Sequence, residues 1–359
     1  MENKWLNEAF RGEVPSDFQG KVGWASPSNI ALVKYGGKKG NQIPQNPSIS
    51  FTLSECRTET FVEYEKANRF GFSFFFEGKE NPAFGAKIEK FLMDHQAFFP
   101  FIKQLNLKVE SRNTFPHSSG IASSASSMSA FVMCMLEIER LLVGPSTGSG
   151  TLIKASYFSR LASGSAARSV FPAMALWGKT EAYEGSSDEY AVSLSDDIHP
   201  IFRTYHDSIL IVSGETKSVS SRAGHALMEG NPYASARYAQ ANENIKNLLS
   251  ALKSGDLGTF INITESEALQ LHALMMCSNP SFILMKPNTL SLINEIRAFR
   301  NETKIPLCFT LDAGPNVHLL YPESEAEKVD YFIKNNLAAY CVDNKWIADH
   351  VGDGPKKLL

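Results

Sequence analysis

The sequence lacks the features that mark nucleic-acid-binding, membrane-spanning and secreted proteins. Its 35 Lys and Arg against 38 Asp and Glu give a formal net charge of -3, so no global basic field attracts nucleic acid or an anionic membrane. The apolar run 131–143 contains Glu137, Glu139 and Arg140, and it falls short of the ~20 apolar residues that cross a bilayer. Residues 1–20 have no apolar signal-peptide core, so we expect a cytoplasmic location.

Cysteine is also scarce. The five cysteines are widely spaced and form no CxxC pair, which argues against a disulfide framework and against a zinc site. Buried free thiols in a reducing compartment are the better interpretation. The residues concerned are Cys56, Cys134, Cys277, Cys308 and Cys341.

The chain mixes strand and helix patterns without a regular alternation, which indicates an α+β fold. Short β-branched or aromatic runs bounded by turn residues predict strands at 59–64, 70–77, 105–110, 208–213, 307–311 and 317–321. Apolar residues at mixed spacings of three and four predict helices at 84–97, 124–142, 233–253, 288–300 and 325–335.

Two domains are expected from 359 residues, at about 150 residues per domain. A polar stretch at 184–197 precedes His199-Pro200, so we place the boundary near residue 200. The predicted division is an N-terminal domain at 1–200 and a C-terminal domain at 201–359.

Neither GxxxxGK[ST] nor GxGxxG occurs at the most informative segment, which reads Pro-His-Ser-Ser-Gly-Ile-Ala-Ser-Ser-Ala-Ser at 116–126. Its small residues let backbone amides approach a phosphate, and the following helix adds unpaired N–H donors and the positive end of its dipole. The hydroxyls of Ser123 and Ser124 suit phosphate oxygens or a magnesium ion. Taken alone, the segment fits a serine-rich cap on an ordinary helix equally well.

Two further segments carry charge next to glycine. Lys34, Lys38 and Lys39 surround Tyr-Gly-Gly, and Asp312 ends an apolar run and begins Asp-Ala-Gly-Pro-Asn. The acid is thus predicted at a strand edge, where a cleft can open. A solvated basic loop and an ordinary turn aspartate are the alternatives.

Together these segments resemble the GHMP kinase superfamily, whose second motif reads Pro-x-x-x-Gly-Leu-Gly-Ser-Ser. The form found here, with Ile121 and Ala122, resembles the diphosphomevalonate decarboxylase branch. Further segments match that branch in order: Asn-Ile-Ala-Leu-Val-Lys-Tyr at 29–35, Pro-Ser-Ile-Ser-Phe-Thr-Leu at 47–53, Ser-Gly-Ser-Ala-Ala-Arg-Ser at 163–169, Val-Ser-Ser-Arg at 219–222, Leu-His-Ala at 271–273 and Asp-Ala-Gly-Pro-Asn at 312–316.

The sequence also departs from the branch pattern, in one place on the substrate side. Gly36 stands where the branch usually has tryptophan, an aromatic residue that helps to wall the substrate pocket. The stretch 267–270 reads Glu-Ala-Leu-Gln instead of the commoner Ser-Asn-Gln form. The phosphorylation state of the substrate is therefore less firmly predicted than the phosphate loop.

The resemblance implies a two-domain GHMP kinase-like fold, with a ribosomal protein S5 domain 2-like N-terminal part and a ferredoxin-like C-terminal part. It implies ATP-dependent decarboxylation of mevalonate 5-diphosphate to isopentenyl diphosphate, ADP, phosphate and CO₂. ATP would be the co-substrate and Mg²⁺ the metal. We expect this small molecule as the partner, with no nucleic acid and no membrane, and leave a homodimer open.

The resemblance also implies roles for individual residues. Asp312 would accept the proton of the 3-hydroxyl, Arg168 would hold the substrate carboxylate as a bidentate fork, and Lys34 would stabilise charge beside the acid. Substrate binding is assigned to Asn29, Tyr35, Lys38, Ser163, Gly164, Ser165, Ser221 and Arg222. ATP binding is assigned to Pro116, Ser119, Gly120, Ile121, Ala122, Ser123 and Ser124, with Ser124 also a candidate magnesium ligand.

Three rival functions stay open. A related superfamily enzyme could decarboxylate mevalonate 5-phosphate, or it could phosphorylate the 3-hydroxyl without decarboxylation. A non-catalytic sensor of ATP and a second ligand belongs to a different class. The presence of Lys34, Arg168 and Asp312 argues for full decarboxylase chemistry and against a sensor, while Gly36 leaves the phosphorylation state of the substrate open.

Overall fold

A computed structural model describes residues 2–116, 121–144, 150–214 and 228–359. It confirms the α+β, two-domain fold: an eight-stranded sheet belongs mainly to the N-terminal part, and a four-stranded sheet belongs to the C-terminal part. No helix in the described ranges is both long enough and apolar enough to cross a bilayer.

Most elements before residue 200 build the larger sheet and its helices, while two short strands pair separately as a hairpin. The strands are β1 Gln19–Val33, β2 Lys38–Lys39, β3 Ile43–Pro44, β4 Ser48–Lys66, β5 Gly71–Phe76, β6 Lys79–Glu80, β7 Leu105–Asn113, β8 Met174–Trp177 and β9 Ala191–Ser193. The helices are α1 Glu2–Glu8, α2 Pro82–Asp94, α3 Ser123–Val143 and α4 Gly150–Ala162, with 3₁₀ turns at Pro100–Gln104, Gly164–Ala167 and Pro200–Thr204.

The later elements form a smaller antiparallel sheet packed against helices. Its strands are β10 His206–Leu210, β11 Cys308–Thr310, β12 Val317–Tyr321 and β13 Trp346–His350, in the order β11-β12-β10-β13. The helices are α5 Ala234–Ser254, α6 Leu257–Met276, α7 Pro287–Thr303 and α8 Ala326–Phe332, which continues into a π turn at Ile333–Leu337. The last strand, β14 Lys356–Lys357, returns to the larger sheet, whose order is β14-β1-β4-β7-β5-β6, with β8 and β9 attached through β4.

The predicted strands and helices exist, but several elements were not predicted: the helices α1, α4 and α6 and the strands β1, β2, β3, β6, β8, β9, β13 and β14. β1 shows no polar alternation because its second half is buried throughout, as expected for a strand covered on both faces. It also contains Pro27, which lies at a register shift against β4 and so needs no ladder partner there. The strand predicted at 208–213 ends earlier, at Leu210, because the amides of Val212 and Ser213 donate instead to the Asn316 side chain.

The two sheets share an apolar core and one polar clamp. Phe51 of β4 packs against Tyr205 and Phe260 in this shared core. The buried Asp349 carboxylate of β13 accepts the backbone N–H groups of Ser54, Glu55 and Cys56 at 2.9, 2.8 and 2.7 Å. These amides lie where β4 bulges away from β1, so the clamp satisfies donors that the ladder leaves open.

Candidate active site

A lysine from one sheet meets an aspartate from the other. Lys34 directly follows β1, and Asp312 lies two residues beyond the end of β11. The Lys34 Nζ donates to Asp312 Oδ1 at 3.0 Å, with 3% of the lysine side chain and 24% of the aspartate side chain exposed. The acid therefore keeps access to solvent while the cation beside it does not, which suits a carboxylate that must reach a substrate hydroxyl.

Burial lowers the pKa of Lys34, while the Asp312 and Glu267 carboxylates oppose that shift and Arg168 adds to it. His272 of α6 lies on the same side and contacts the Asp312 backbone oxygen at 3.1 Å through Nε2. Burial lowers the pKa of His272 to about 4. This histidine is therefore neutral at pH 7, and its Nε2–H is the donor.

Arg168 is a buried cation with neutral partners. It is 2% exposed and donates to Ser50 Oγ at 2.9 Å, to Asn29 Oδ1 at 3.2 Å and to Ser48 Oγ. Among the described residues no carboxylate forms an ion pair with it, and burial lowers its pKa to about 10. A buried guanidinium without a bound anion is costly, so this position is prepared for a ligand carboxylate or phosphate.

Tyr35 and the turn at Gly164–Ala167 line one side of this arrangement. The Tyr35 ring packs edge-on to Trp177 at 5.0 Å between centroids, and burial raises the pKa of Tyr35 to about 12. A Cβ atom on Gly164 would come within 2.8 Å of Trp177 and 3.1 Å of the Tyr35 hydroxyl. Glycine is therefore required for the turn to approach these rings this closely.

Asn29 joins the turn to Arg168. Its Nδ2 donates to Ser169 Oγ at 2.7 Å and to the Ser165 backbone oxygen at 3.3 Å, while its Oδ1 accepts from Arg168. Ser163 begins the 3₁₀ turn. The predicted substrate residues Asn29, Tyr35, Ser163, Gly164 and Ser165 thus lie in one neighbourhood with Arg168.

Lys38 lies in the small hairpin formed by β2 and β3, where its Nζ donates to Gln42 Oε1 at 2.8 Å. The buried Arg160 of α4 fixes the hairpin by donating to the Asn41 backbone oxygen and, at 2.7 Å, to that of Glu189. Ser221 and Arg222, the other two residues predicted to bind substrate, lie outside the described residues.

The phosphate loop is described only from Ile121 onward and at Pro116; Ser119 and Gly120 lie outside the described residues. Ala122 adopts left-handed backbone angles and is the N-cap of α3, so no side chain caps the helix. The serine-cap interpretation is therefore wrong for this helix start. The first-turn amides at Ser123 and Ser124 keep their donors available for a ligand.

Ser28 of β1 holds the end of this loop in place, since its Oγ donates to the Ile121 backbone oxygen at 2.5 Å. The next residue along the strand is Asn29, and Lys34 follows the strand's end. One strand thus connects the helix start, the buried arginine and the lysine–aspartate pair.

Magnesium usually keeps several waters and takes one or two protein ligands together with substrate phosphates. In the ranges that the structure covers, no three His, Cys, Asp or Glu side chains form a metal cage. The exposed Ser124 hydroxyl at the start of α3 fits an ion held chiefly by nucleotide phosphates.

Gly36 is packed beneath an aromatic ring from α5. The Tyr238 hydroxyl donates to the Gly36 backbone oxygen at 3.3 Å, and a Cβ atom on Gly36 would lie 3.4 Å from Tyr238 Cε1. Tyr238 therefore occupies the space into which a large side chain at position 36 would extend.

Comparison with known proteins agrees with this geometry. A sequence model described as the diphosphomevalonate decarboxylase-like N-terminal domain matches residues 26–191, and one described as the mevalonate 5-diphosphate decarboxylase C-terminal domain matches residues 208–357. The chain belongs to the diphosphomevalonate decarboxylase family. The motif-based prediction of this family from the sequence is confirmed.

Individual relatives resemble the chain over most of its length. A diphosphomevalonate decarboxylase of Aspergillus fumigatus is 27% identical over 86% of this chain and 78% of its own. The Staphylococcus aureus mevalonate diphosphate decarboxylase structure is 25% identical with a TM-score of 0.79, covering 95% of this chain and 99% of that one. A structure of MDDEF in complex with MVAPP, AMPPCP and magnesium is 25% identical with a TM-score of 0.78 over the same shares.

Several residues of the site were not predicted from the sequence. Ser48 and Ser50 hold Arg168, and Trp177 packs on Tyr35. Ser48 and Ser50 lie within the segment 47–53, which resembles the family. That resemblance was the only sequence signal that these two serines belong to the site. Glu267 and Arg237 contact Lys34 from helices far along the chain, and no local pattern marks them.

Proposed function

We propose that the chain catalyses the ATP-dependent decarboxylation of mevalonate 5-diphosphate to isopentenyl diphosphate, ADP, phosphate and CO₂. The observation that carries this proposal is the Lys34–Asp312 pair at 3.0 Å together with Arg168, a buried cation that donates to neutral side chains among the described residues. A base, a charge-stabilising cation and an anion-binding fork are the groups that this reaction requires.

Each of the three residues has a distinct task. Asp312 accepts or orients the proton of the 3-hydroxyl as that oxygen attacks the terminal phosphoryl group of ATP. Lys34 stabilises the negative charge that develops beside it. Arg168 binds the substrate carboxylate in a planar fork and so fixes the C–C bond that must break when CO₂ and phosphate leave.

The diphosphate and the nucleotide require separate anion sites. Asn29, Tyr35, Lys38, Ser163, Gly164 and Ser165 are proposed on the substrate side, together with Ser221 and Arg222. The first turn of α3, with Ser123 and Ser124, is proposed for the ATP phosphates, where Mg²⁺ would neutralise the charge of the transferred group. The family membership and the ligands of the MDDEF complex support this assignment.

The deciding experiment incubates the protein with ATP, Mg²⁺ and each of mevalonate, its 5-phosphate and its 5-diphosphate, and measures ADP and CO₂ separately. We expect equal amounts of ADP and CO₂, with the 5-diphosphate as the preferred substrate. ADP without CO₂ would indicate a 3-kinase. Preference for the 5-phosphate would indicate a decarboxylase of mevalonate 5-phosphate. Binding of ATP without any turnover would indicate a sensor.

A further inference from the structure

Glu267 of α6 is a fully buried carboxylate that has no task in the proposed reaction so far. Its side chain has 0% exposure. Oε2 accepts the backbone N–H of Lys34 at 2.8 Å and pairs with Arg237 of α5, and Oε1 accepts from Asn244 Nδ2 at 2.6 Å. Both carboxylate oxygens are therefore hydrogen-bonded, as a buried charge requires.

The backbone of Lys34 needs such partners because β1 ends at Val33. Its N–H donates to Glu267, and its C=O accepts from Arg237 Nη2 at 3.2 Å and from Asn46 Nδ2 at 3.0 Å. The C-terminal helices thus hold both polar groups of one peptide segment in the N-terminal part. The segment carries the lysine whose Nζ meets Asp312.

We propose that Glu267 is a positioning residue for Lys34, which fixes its backbone and keeps its ammonium group charged from inside the protein. This inference rests on the proposed function, in which Lys34 must be a cation beside Asp312. Asp312 alone is a partly exposed partner that also has to face substrate. Glu267 supplies a second negative charge that substrate binding does not reach.

Several charged groups act on Lys34 from the elements around it. Asp312 after β11 and Glu267 on α6 favour the protonated amine, whereas burial and Arg168 disfavour it. Arg237 is a positive charge that pairs with Glu267 and contacts the Lys34 backbone oxygen, so loss of the Glu267 carboxylate would leave that charge unpaired beside Lys34. His272 is neutral at pH 7. Burial raises the pKa of Asp207 on β10, and the Oδ2 atom of that carboxyl group already lies 2.7 Å from His318 Nδ1.

Glu267→Gln keeps the shape and removes the charge. We expect kcat to fall at least tenfold. We also expect the alkaline limb of the pH profile of kcat to move to lower pH by roughly one unit, because the protonated Lys34 loses one of its two neighbouring carboxylates. Asn244→Ala is the matched control: it removes a neutral contact to the same carboxylate and should leave the alkaline limb in place.

A second readout does not depend on turnover. In protein labelled with ¹³C at lysine Cε, the Lys34 signal, assigned with Lys34→Arg, reports the pKa directly by NMR titration. Glu267→Gln should lower that pKa. A folded Glu267→Gln variant with an unchanged Lys34 titration and an unchanged alkaline limb would overturn the inference. If wild type turns over no mevalonate species, the proposed function fails while the titration still tests the contact.

If Glu267→Gln does not fold, Glu267→Asp decides the question. It keeps the charge but is one methylene shorter, so the backbone N–H of Lys34 is held less well. We expect a lower kcat with a wild-type alkaline limb. A wild-type kcat in Glu267→Asp would count against the positioning role.

Discussion

At the scale of single residues, the site depends on charges that lie in protein rather than in water. Only 2% of the surface of Arg168 and of Lys34 is exposed, and burial lowers the pKa of each. In such surroundings an electrostatic interaction is stronger than at a surface, and the loss of a partner costs more. Substitutions here should change activity far more than equivalent substitutions on the surface.

Asp312→Asn should retain ATP binding and lose turnover by roughly 10²–10⁴-fold, the usual contribution of a general base. Nucleotide affinity by calorimetry and steady-state ADP release give the two measurements. Asp343→Asn, at a side chain that is 69% exposed, is the control and should behave as wild type. Near wild-type turnover in Asp312→Asn would remove the acid from the mechanism.

Arg168→Ala should lower ADP and CO₂ release together by about 10²-fold, since misplacement of the reacting bond alone costs that much. Arg168→Lys should not restore the rate, because an ammonium group cannot form the planar two-point contact with a carboxylate. The control Arg112→Ala changes an arginine that is 66% exposed. Undiminished CO₂ release from Arg168→Ala would show that the carboxylate is held elsewhere.

His272 should make stability depend on pH. Its pKa is about 4 in the folded chain against 6.5 for the free group, so the unfolded chain binds a proton that the folded chain does not. The contribution of neutral His272 to the free energy of unfolding is fully present above pH 6.5. It is lost as the pH drops towards 4, by on the order of 3 kcal/mol. Urea unfolding of wild type and His272→Gln at pH 7.5, 6 and 5 should show a steeper decline for wild type; parallel curves would contradict this.

Residue-level predictions could be made from the sequence where the chemistry is local. Asp312 beside glycine at a strand edge and the arginine at the end of the Ser-Gly-Ser-Ala-Ala segment could be proposed from short motifs, and the structure brings Asp312, Lys34 and Arg168 into one neighbourhood. Glu267 could not be found in this way. It acts on a backbone amide 233 positions away, and that contact exists only after both parts have packed.

At the scale of elements, the hardest element to predict was β1, the strand that positions the largest number of site residues. β1 connects Ser28, Asn29 and Lys34, yet its burial on both faces and its proline hide the period of a strand. The start of α3 was predicted within one residue, because a helical apolar pattern follows the small-residue segment directly. α3 is itself buried at every position of 129–139, so its length and the small-residue segment before it were the signals, and a buried strand offers neither.

The packing of α5 against the segment after β1 gives a prediction about position 36. Gly36→Trp should lower the melting temperature and raise KM for the diphosphate by roughly tenfold or more, because the new ring meets Tyr238. Tyr238→Ala in the same chain should recover much of both losses by vacating that space. Tyr238→Phe keeps the ring and should not rescue Gly36→Trp. Additive effects of the two substitutions would contradict the competition for one volume.

At the scale of the whole molecule, the two sheets are joined through a shared apolar core and the Asp349 clamp. Asp349→Ala should destabilise the chain by roughly 3 kcal/mol or more, since it leaves three buried or half-buried N–H groups without their acceptor. Urea unfolding measures the change, and Asp94→Ala, at a side chain that is 50% exposed, is the control. Equal midpoints for Asp349→Ala and wild type would show that water replaces the carboxylate.

The lysine and the acid reach each other only when the two sheets are docked, because Lys34 follows β1 and Asp312 follows β11. Neither part of the chain holds a complete set of reacting groups. A molecule opened by heat, by a protease or by a weakened clamp should therefore stop consuming ATP before its helices and strands are lost. The rate of ATP turnover therefore measures whether the two sheets are docked. A damaged molecule would become inactive in the cell instead of hydrolysing ATP without forming product.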